Sequence, residues 1–228
     1  MATTLEHSTL CFDPTRPFGT LNDGVECRIS SKTISFRDAQ KRSKKYGYAH
    51  VAQCSPLCGD KKRQHVVCFR VTGLVQEYGL NAVEFTLDPE DRRVEPGSSR
   101  RDHVWSEDSQ HFAPYPTCFI TFLYDTAKST LTLYAEGDQD SSGAKRKRTD
   151  DAPEWYQGHS AFTPYTKVAS GLWMSKVHDL VPPVDGAPMR FGVRMSSMLD
   201  NVVTIVDPFK TRAWQMLRDV VTVGVVYK

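Results

Sequence analysis

The stretch Cys118-Phe119-Ile120-Thr121-Phe122-Leu123-Tyr124 is joined to Leu131-Thr132-Leu133-Tyr134 by a short polar segment that begins Asp125-Thr126-Ala127-Lys128. Two runs this rich in aromatic and β-branched residues, joined by so short a loop, read as a β-hairpin. Thr130, Thr132 and Lys128 are expected to face solvent. Similar runs recur along the chain, at Val25 to Ser30, His65 to Thr72, Ala82 to Asp88, Ser129 to Ala135, Lys167 to Val177, Met189 to Met195, Val202 to Val206 and Val220 to Tyr227. Tyr48 is expected to begin one more strand. Gly, Pro, Asp or Ser bounds these runs, and those residues favour turns.

Two helices are expected among the strands. Ser35 can cap a helix from Phe36 to Tyr46 that stops at Gly47, with Phe36, Ala39, Ser43 and Tyr46 on one face and Arg37, Lys41, Lys44 and Lys45 on another. Asp207-Pro208 can open a second helix from Phe209 to Arg218, whose Phe209, Ala213, Trp214 and Leu217 form an apolar stripe suited to a sheet surface. Strands with helices set irregularly between them point to a mainly β fold, a jelly-roll-like antiparallel β-sandwich with two or more appended helices. Nothing in the sequence reads as a repeat or an interdomain linker. A single domain over 1–228 is therefore expected, with an extended N-terminal arm over 1–24 and long loops over 88–116 and 136–164.

Composition narrows the class. With 228 residues, 39% hydrophobic, 25% charged and a net charge of +2, the chain has globular values and is not disordered, collagen-like or coiled-coil. No apolar run reaches the roughly 18 residues of a spanning helix, so no membrane partner is expected. Met1 to Thr20 carries Glu6, His7, Asp13 and two prolines where a secretory leader would be basic and then apolar. Six cysteines are too sparse for a disulfide scaffold, which favours a reduced, intracellular chain. The near-neutral total hides an asymmetry. Arg28 to Arg70 holds eleven Lys or Arg against Asp38 and Asp60, a local charge of +9 that leaves −7 for the remainder. Such a chain can bind a polyanion, or its copies can attract one another head to tail.

Cys54, Cys58, His65 and Cys68 form the sharpest spacing, since three thiolates and an imidazole suit tetrahedral zinc. His65 and Cys68 stand an odd distance apart on a strand, however, and such residues point to opposite faces. No metal is therefore expected, with Cys68 a buried thiol and His65 at a strand edge. Lys145-Arg146-Lys147-Arg148, in the second long loop, reads as a nuclear-import signal, a phosphate-binding tip or a solvated loop. Tyr46 and Tyr48, beside Lys44-Lys45, could stack on bases, but Tyr46 also belongs to the apolar face of its helix. The sequence carries no phosphate-loop, dinucleotide, metalloprotease or nucleophile-elbow motif. Cys11, Cys27 or Cys118 would each need a distant His to become a nucleophile, so the chain is not expected to be an enzyme.

Local wording adds a resemblance. Phe36-Arg37-Asp38-Ala39-Gln40-Lys41-Arg42-Ser43-Lys44-Lys45-Tyr46, then Ala82-Val83 with Pro89 and Arg92 or Arg93, then His103-Val104-Trp105-Ser106-Glu107, are similar to segments of cypovirus polyhedrins. The resemblance implies a structural, self-assembling protein, the crystalline matrix of a viral occlusion body in the host cytoplasm. Its partners would be other copies of the chain and the virus particles that it protects. It also implies a bound nucleotide, to which no residue here is assigned; no other cofactor is expected. Contacts between copies, or with a polyanion, are expected from Arg37, Lys41, Lys44, Lys45, Lys145, Arg146, Lys147 and Arg148. The alternatives are a viral or nuclear β-sandwich module that binds nucleic acid through 28–70, and a small zinc protein built on the Cys54 cluster.

Overall fold

Residues 3–7, 10–13, 25–38, 48–57, 63–72, 83–89, 103–106, 117–137, 166–169, 172–174, 178–180, 187–196, 202–221 and 225–226 are described by a computed structural model. Along them run β1 (Thr3–His7), β2 (Val25–Ile29), β3 (Thr33–Asp38), β4 (Tyr48–Gln53), β5 (Arg63–Thr72), β6 (Val83–Pro89), β7 (His103–Ser106) and β8 (Thr117–Asp125). They continue with β9 (Thr130–Gly137), β10 (Thr166–Ala169), β11 (Leu172–Met174), β12 (His178–Asp179), β13 (Met189–Ser196) and β14 (Val202–Val206). A 3-10 turn (Pro208–Lys210), helix α1 (Arg212–Val221) and β15 (Val225–Val226) follow.

The hairpin is β8–β9, paired from Cys118 with Gly137 to Asp125 with Thr130. Asp125 closes its loop, because one carboxylate oxygen accepts the amides of Ala127 and Lys128 at 3.0 and 3.1 Å. The other oxygen accepts from the Gln64 side chain at 2.9 Å, which ties the loop to β5. Ser129 completes the turn at a φ of 52°, in the left-handed region. Lys128 is 74% exposed, as expected. Thr130 and Thr132 are half-buried instead, and β12 pairs against this end of β9.

The strands form two sheets, and the chain is a jelly-roll-like, mainly antiparallel β-sandwich. The larger sheet runs β10-β11-β9-β8-β5-β14-β3-β2, with β1, β12 and β15 attached, and the smaller runs β4-β13-β6-β7. Between them lies an aromatic core. Phe69 stands 4.6 Å from Phe85 by ring centroids, and Phe122 stands 5.0 Å from Phe191, so each larger-sheet ring meets a smaller-sheet ring. Ile34, Val71, Ile120, Leu133 and Val203 extend the same layer. On the outer surface of the larger sheet, α1 buries Ala213, Trp214 and Leu217 against Val66, Tyr134 and Leu172.

Several expectations are corrected. Phe36, Arg37 and Asp38 belong to strand β3, so Ser35 is no helix cap; Ile34 faces the core and β3 pairs on both sides, with β2 and β14. Sheet pairing outweighs helical periodicity there, and the rest of that expected helix, 39–46, lies outside the described residues. The arm over 1–24 is not merely extended. Its β1 lies parallel to both β5 and β15, while Leu10 and Phe12 are buried in the core. The loop over 88–116 contains β7, paired with β6, and the loop over 136–164 begins inside β9. Lys167 to Val177 resolves into the antiparallel pair β10–β11, and at the C-terminal run α1 continues through Val221. Among the described residues there is one α-helix, and it is not long and apolar enough to cross a membrane.

Candidate functional site

Strand alternation gives the larger sheet two chemically different faces. On β5 the odd positions Val67, Phe69 and Val71 enter the core, while Val66 packs under α1, which places Cys68, Arg70 and Thr72 on the outer side with it. On β8 the core takes Ile120, Phe122 and Tyr124, and Leu123 packs toward α1, so Phe119 and Thr121 are outer residues too. Ile34 of β3 and Val203 of β14 point inward, leaving Thr33, Ser35, Val202 and Thr204 outside.

The helix covers only part of this outer face. Beneath it Cys68 is fully buried and accepts a hydrogen bond from the Thr121 hydroxyl at 3.3 Å. Burial, and then the nearby Glu136 and Asp207 charges, push the Cys68 thiol up to about 12 against the opposing Thr121 bond. Glu136 is itself buried, and one of its carboxylate oxygens accepts the amides of Arg212 and Ala213 at 2.9 and 3.2 Å. A strand residue thus satisfies the first amides of α1, the place where a negative charge is most favourable on a helix. Thr211 adds its hydroxyl to the Trp214 amide at 3.2 Å.

Past the helix the described residues of this face are more polar. Thr33, Thr204, Arg70 and Phe119 form one cross-strand row, from β3 through β14 and β5 to β8. Arg70 is exposed, the other three are half-buried, and the Thr33 and Thr204 hydroxyls lie 3.4 Å apart. The next row is Ser35, Val202 and Thr72, in which Thr72 donates to the Val202 carbonyl at 3.4 Å. Arg28 of β2 is the register partner of Ser35, and Arg37 follows Ser35 by two positions in β3. Hydroxyls, an exposed guanidinium and a half-buried aromatic ring therefore share a surface, and the row ends on β9 at the buried Glu136 opposite Phe119.

Of Cys54, Cys58, His65 and Cys68, whose spacing would suit zinc, the three described residues do not form one group. Cys54 pairs with Phe12 in an isolated bridge where the arm meets the core, and burial, with the nearby Cys11, raises its thiol well above the ordinary value. His65 lies on the core side of β5, stacked on Tyr124 at 6.2 Å, whereas Cys68 lies on the outer side. His65 is 1% exposed, because β5 is paired on both edges, so it is not a strand-edge residue. Among the described residues no three His, Cys, Asp or Glu side chains form a metal-binding group, and Cys58 lies outside them. Cys11, Cys54, Cys68 and Cys118 form no disulfide, and Cys27 sits opposite Phe36 in the β2–β3 register. Lys41, Lys44, Lys45 and Lys145 to Arg148 also lie outside the described residues; Arg37 stands in β3 rather than on a helix.

Sequence reading passed over Arg190 and Glu136. Arg190, 5% exposed, donates to the Cys54 carbonyl at 2.8 Å and pairs with Asp13 at 3.3 Å, pinning the arm to β13. An Arg inside the run Met189 to Met195 was the available signal, since a buried Arg needs partners.

No family model and no curated protein matches the chain. Solved structures do. One of them is a crystal structure of the SPRY domain of human HERC1, 11% identical, covering 88% of this chain and 99% of that one at a TM-score of 0.41.

Proposed function

We propose that the chain is a structural protein that assembles with copies of itself, in its most concrete form the matrix of a viral occlusion body enclosing virus particles. The observation that supports this reading is the use of the buried charged groups. Glu136 caps α1, Asp125 closes the hairpin and Arg190 fastens the arm, so each holds backbone in place. Such a framework is suited to bearing load between copies, and the charge division of +9 against −7 supplies mutual attraction.

The reading carries a pH signature. If its 13 lysines and nine tyrosines titrated fully, the formal charge would fall from +2 to −20, and every copy would repel every other. The fold responds in the same direction. Burial raises Cys54, Cys68, Tyr124 and Tyr134, with Asp125 adding to the effect at Tyr124. For a group raised on folding, the stabilisation is complete below its ordinary value, 9.0 for these thiols and 10.0 for the phenols, and is lost as pH rises through the folded value.

Turbidity and sedimentation of the purified chain from pH 7 to 11.5, with circular dichroism alongside, test the proposal. Large species at neutral pH that disperse sharply in alkali are expected. A chain that stays monomeric at pH 7 and high concentration removes the reading, as do assemblies that persist to the top of the range.

A further inference from the structure

The two sheets end on four strands, β10 and β2 in the larger and β4 and β7 in the smaller. An end strand offers a row of backbone donors and acceptors to any strand that approaches it, and proteins commonly blunt such ends with a bulge. Three of these four ends are blunted in that way. Lys167 and Ala169 oppose Trp173 and Leu172, which leaves Val168 as an extra residue in β10. The same kind of shift leaves Ala49 extra in β4 and Val104 extra in β7. The attached strands β12 and β15 are only two residues each. β2 differs. It pairs with β3 along its whole length, from Val25 with Asp38 to Ile29 with Ile34, without a shift, and among the described residues no strand pairs with its other side.

The ladder also fixes which backbone groups that side presents. At the turn between β2 and β3 the Ser30 amide donates to the Thr33 carbonyl at 2.8 Å. Bonded and non-bonded pairs alternate in an antiparallel ladder, so positions 28 and 26 bond to β3, and the amides and carbonyls of 25, 27 and 29 are directed away from it.

We propose that β2 pairs antiparallel with β2 of a second copy about a two-fold axis at Cys27, joining the two larger sheets into one. The proposal rests on the self-assembly reading and names its contact. Val25-Glu26-Cys27-Arg28-Ile29 is complementary to its own reverse. About Cys27, Val25 comes opposite Ile29 of the second copy, Glu26 opposite Arg28, and Cys27 opposite Cys27, so one strand supplies both halves of a self-matching interface. Opposite charges directly across from each other stabilise a strand pair, and like charges destabilise it. A slip of two residues sets Glu26 against Glu26 or Arg28 against Arg28, and a slip of one exchanges the faces, which singles out this register. Glu26 is the register partner of Arg37 in its own β3, and Arg28 that of Ser35. The joined sheets therefore carry the row Arg37, Glu26, Arg28 and Ser35, the last two from the second copy. A strand of an unrelated protein has no reason to repeat this order.

Sedimentation velocity of the full chain at pH 7 over a concentration series tests the contact. Glu26→Arg and Arg28→Glu each set like charges opposite one another at both pairs, and each should raise the concentration needed for association on the order of tenfold. An equimolar mixture of the two variants should recover the wild-type species, because one then carries two bases where the other carries two acids. Cys27→Pro removes an amide directed at the second copy and none that bonds to β3, so it should weaken association while the melting temperature stays near that of the wild type. Melting curves identify any variant that fails to fold, and recovery on mixing shows directly that both charge variants are folded.

Two outcomes overturn the proposal and leave self-assembly standing: wild-type association by Cys27→Pro and both charge variants, or charge variants that fold and dissociate but do not recover on mixing. A wild type that stays monomeric at pH 7 and high concentration removes the self-assembly reading, and this contact with it.

Discussion

The two faces of the larger sheet come from the same strands and behave as different materials. The core face is a continuous layer in which Phe69 meets Phe12, Phe85, Phe122 and Phe191 within 6.4 Å. The outer face changes along its width, from a region sealed by α1 to one where Thr33, Thr204 and Arg70 meet solvent. Stability is therefore concentrated on one side of each strand, and the other side is free to carry chemistry. A residue's worth to the fold should depend on which side it takes and how far from the helix it stands.

The largest effect is expected at the centre of the core. Phe69 is 0% exposed and touches rings from both sheets, so Phe69→Ala removes packing that cannot close up. A loss of about 3–5 kcal/mol is expected in urea unfolding. A loss below about 1 kcal/mol would mean that the two sheets do not share this core, and the contrast between the faces would collapse.

A middle value is expected where the helix seals the outer face. Glu136→Gln keeps the shape of the side chain but removes the charge beside the α1 amides, and about 1 kcal/mol of stability should go with it. Amide exchange should speed up in α1 before it does in β5. Uniform exchange across both would show that helix and sheet open as one unit, and would blur the boundary drawn between sealed and polar regions.

The smallest effect belongs to the more polar half. Thr204→Ala lies one strand from Phe69, yet it should change the melting free energy by no more than about 0.5 kcal/mol. A much larger loss would place the Thr33–Thr204 pair within the stabilising structure and take away the freedom assigned to that surface. The three variants together measure how steeply stability falls from the core, through the helix seam, to the polar half of the outer face.

The difference between the faces was partly legible in the chain. The hairpin at Cys118 to Leu133, and the inward residues of β5, β13 and β14, follow from alternation, which is local and survives in any context. Asp207-Pro208 opens a 3-10 turn instead of the expected helix: the Asp207 carboxylate accepts the Phe209 amide at 3.0 Å, α1 begins at Arg212, and Phe209 is left exposed. The run from Phe36 could not be resolved in this way. Its apolar spacing suits a helix as well as a strand, and what decides is whether neighbours offer backbone partners, as β2 and β14 do for β3.

Sequence alone therefore determined the β class, the hairpin, the presence of a helix near the C-terminal end and the uneven charge, because each depends on side-chain chemistry within a few residues. Tertiary structure decided the rest. Only pairing across more than a hundred residues puts Thr33 against Thr204, and only the docking of α1 separates buried Cys68 from exposed Arg70 two positions along the same strand. Glu136 reads as the start of a loop until the helix it caps, 76 residues later, is folded onto it. These contacts are set by the long-range burial of apolar surface, and no local pattern encodes which distant segment will provide it.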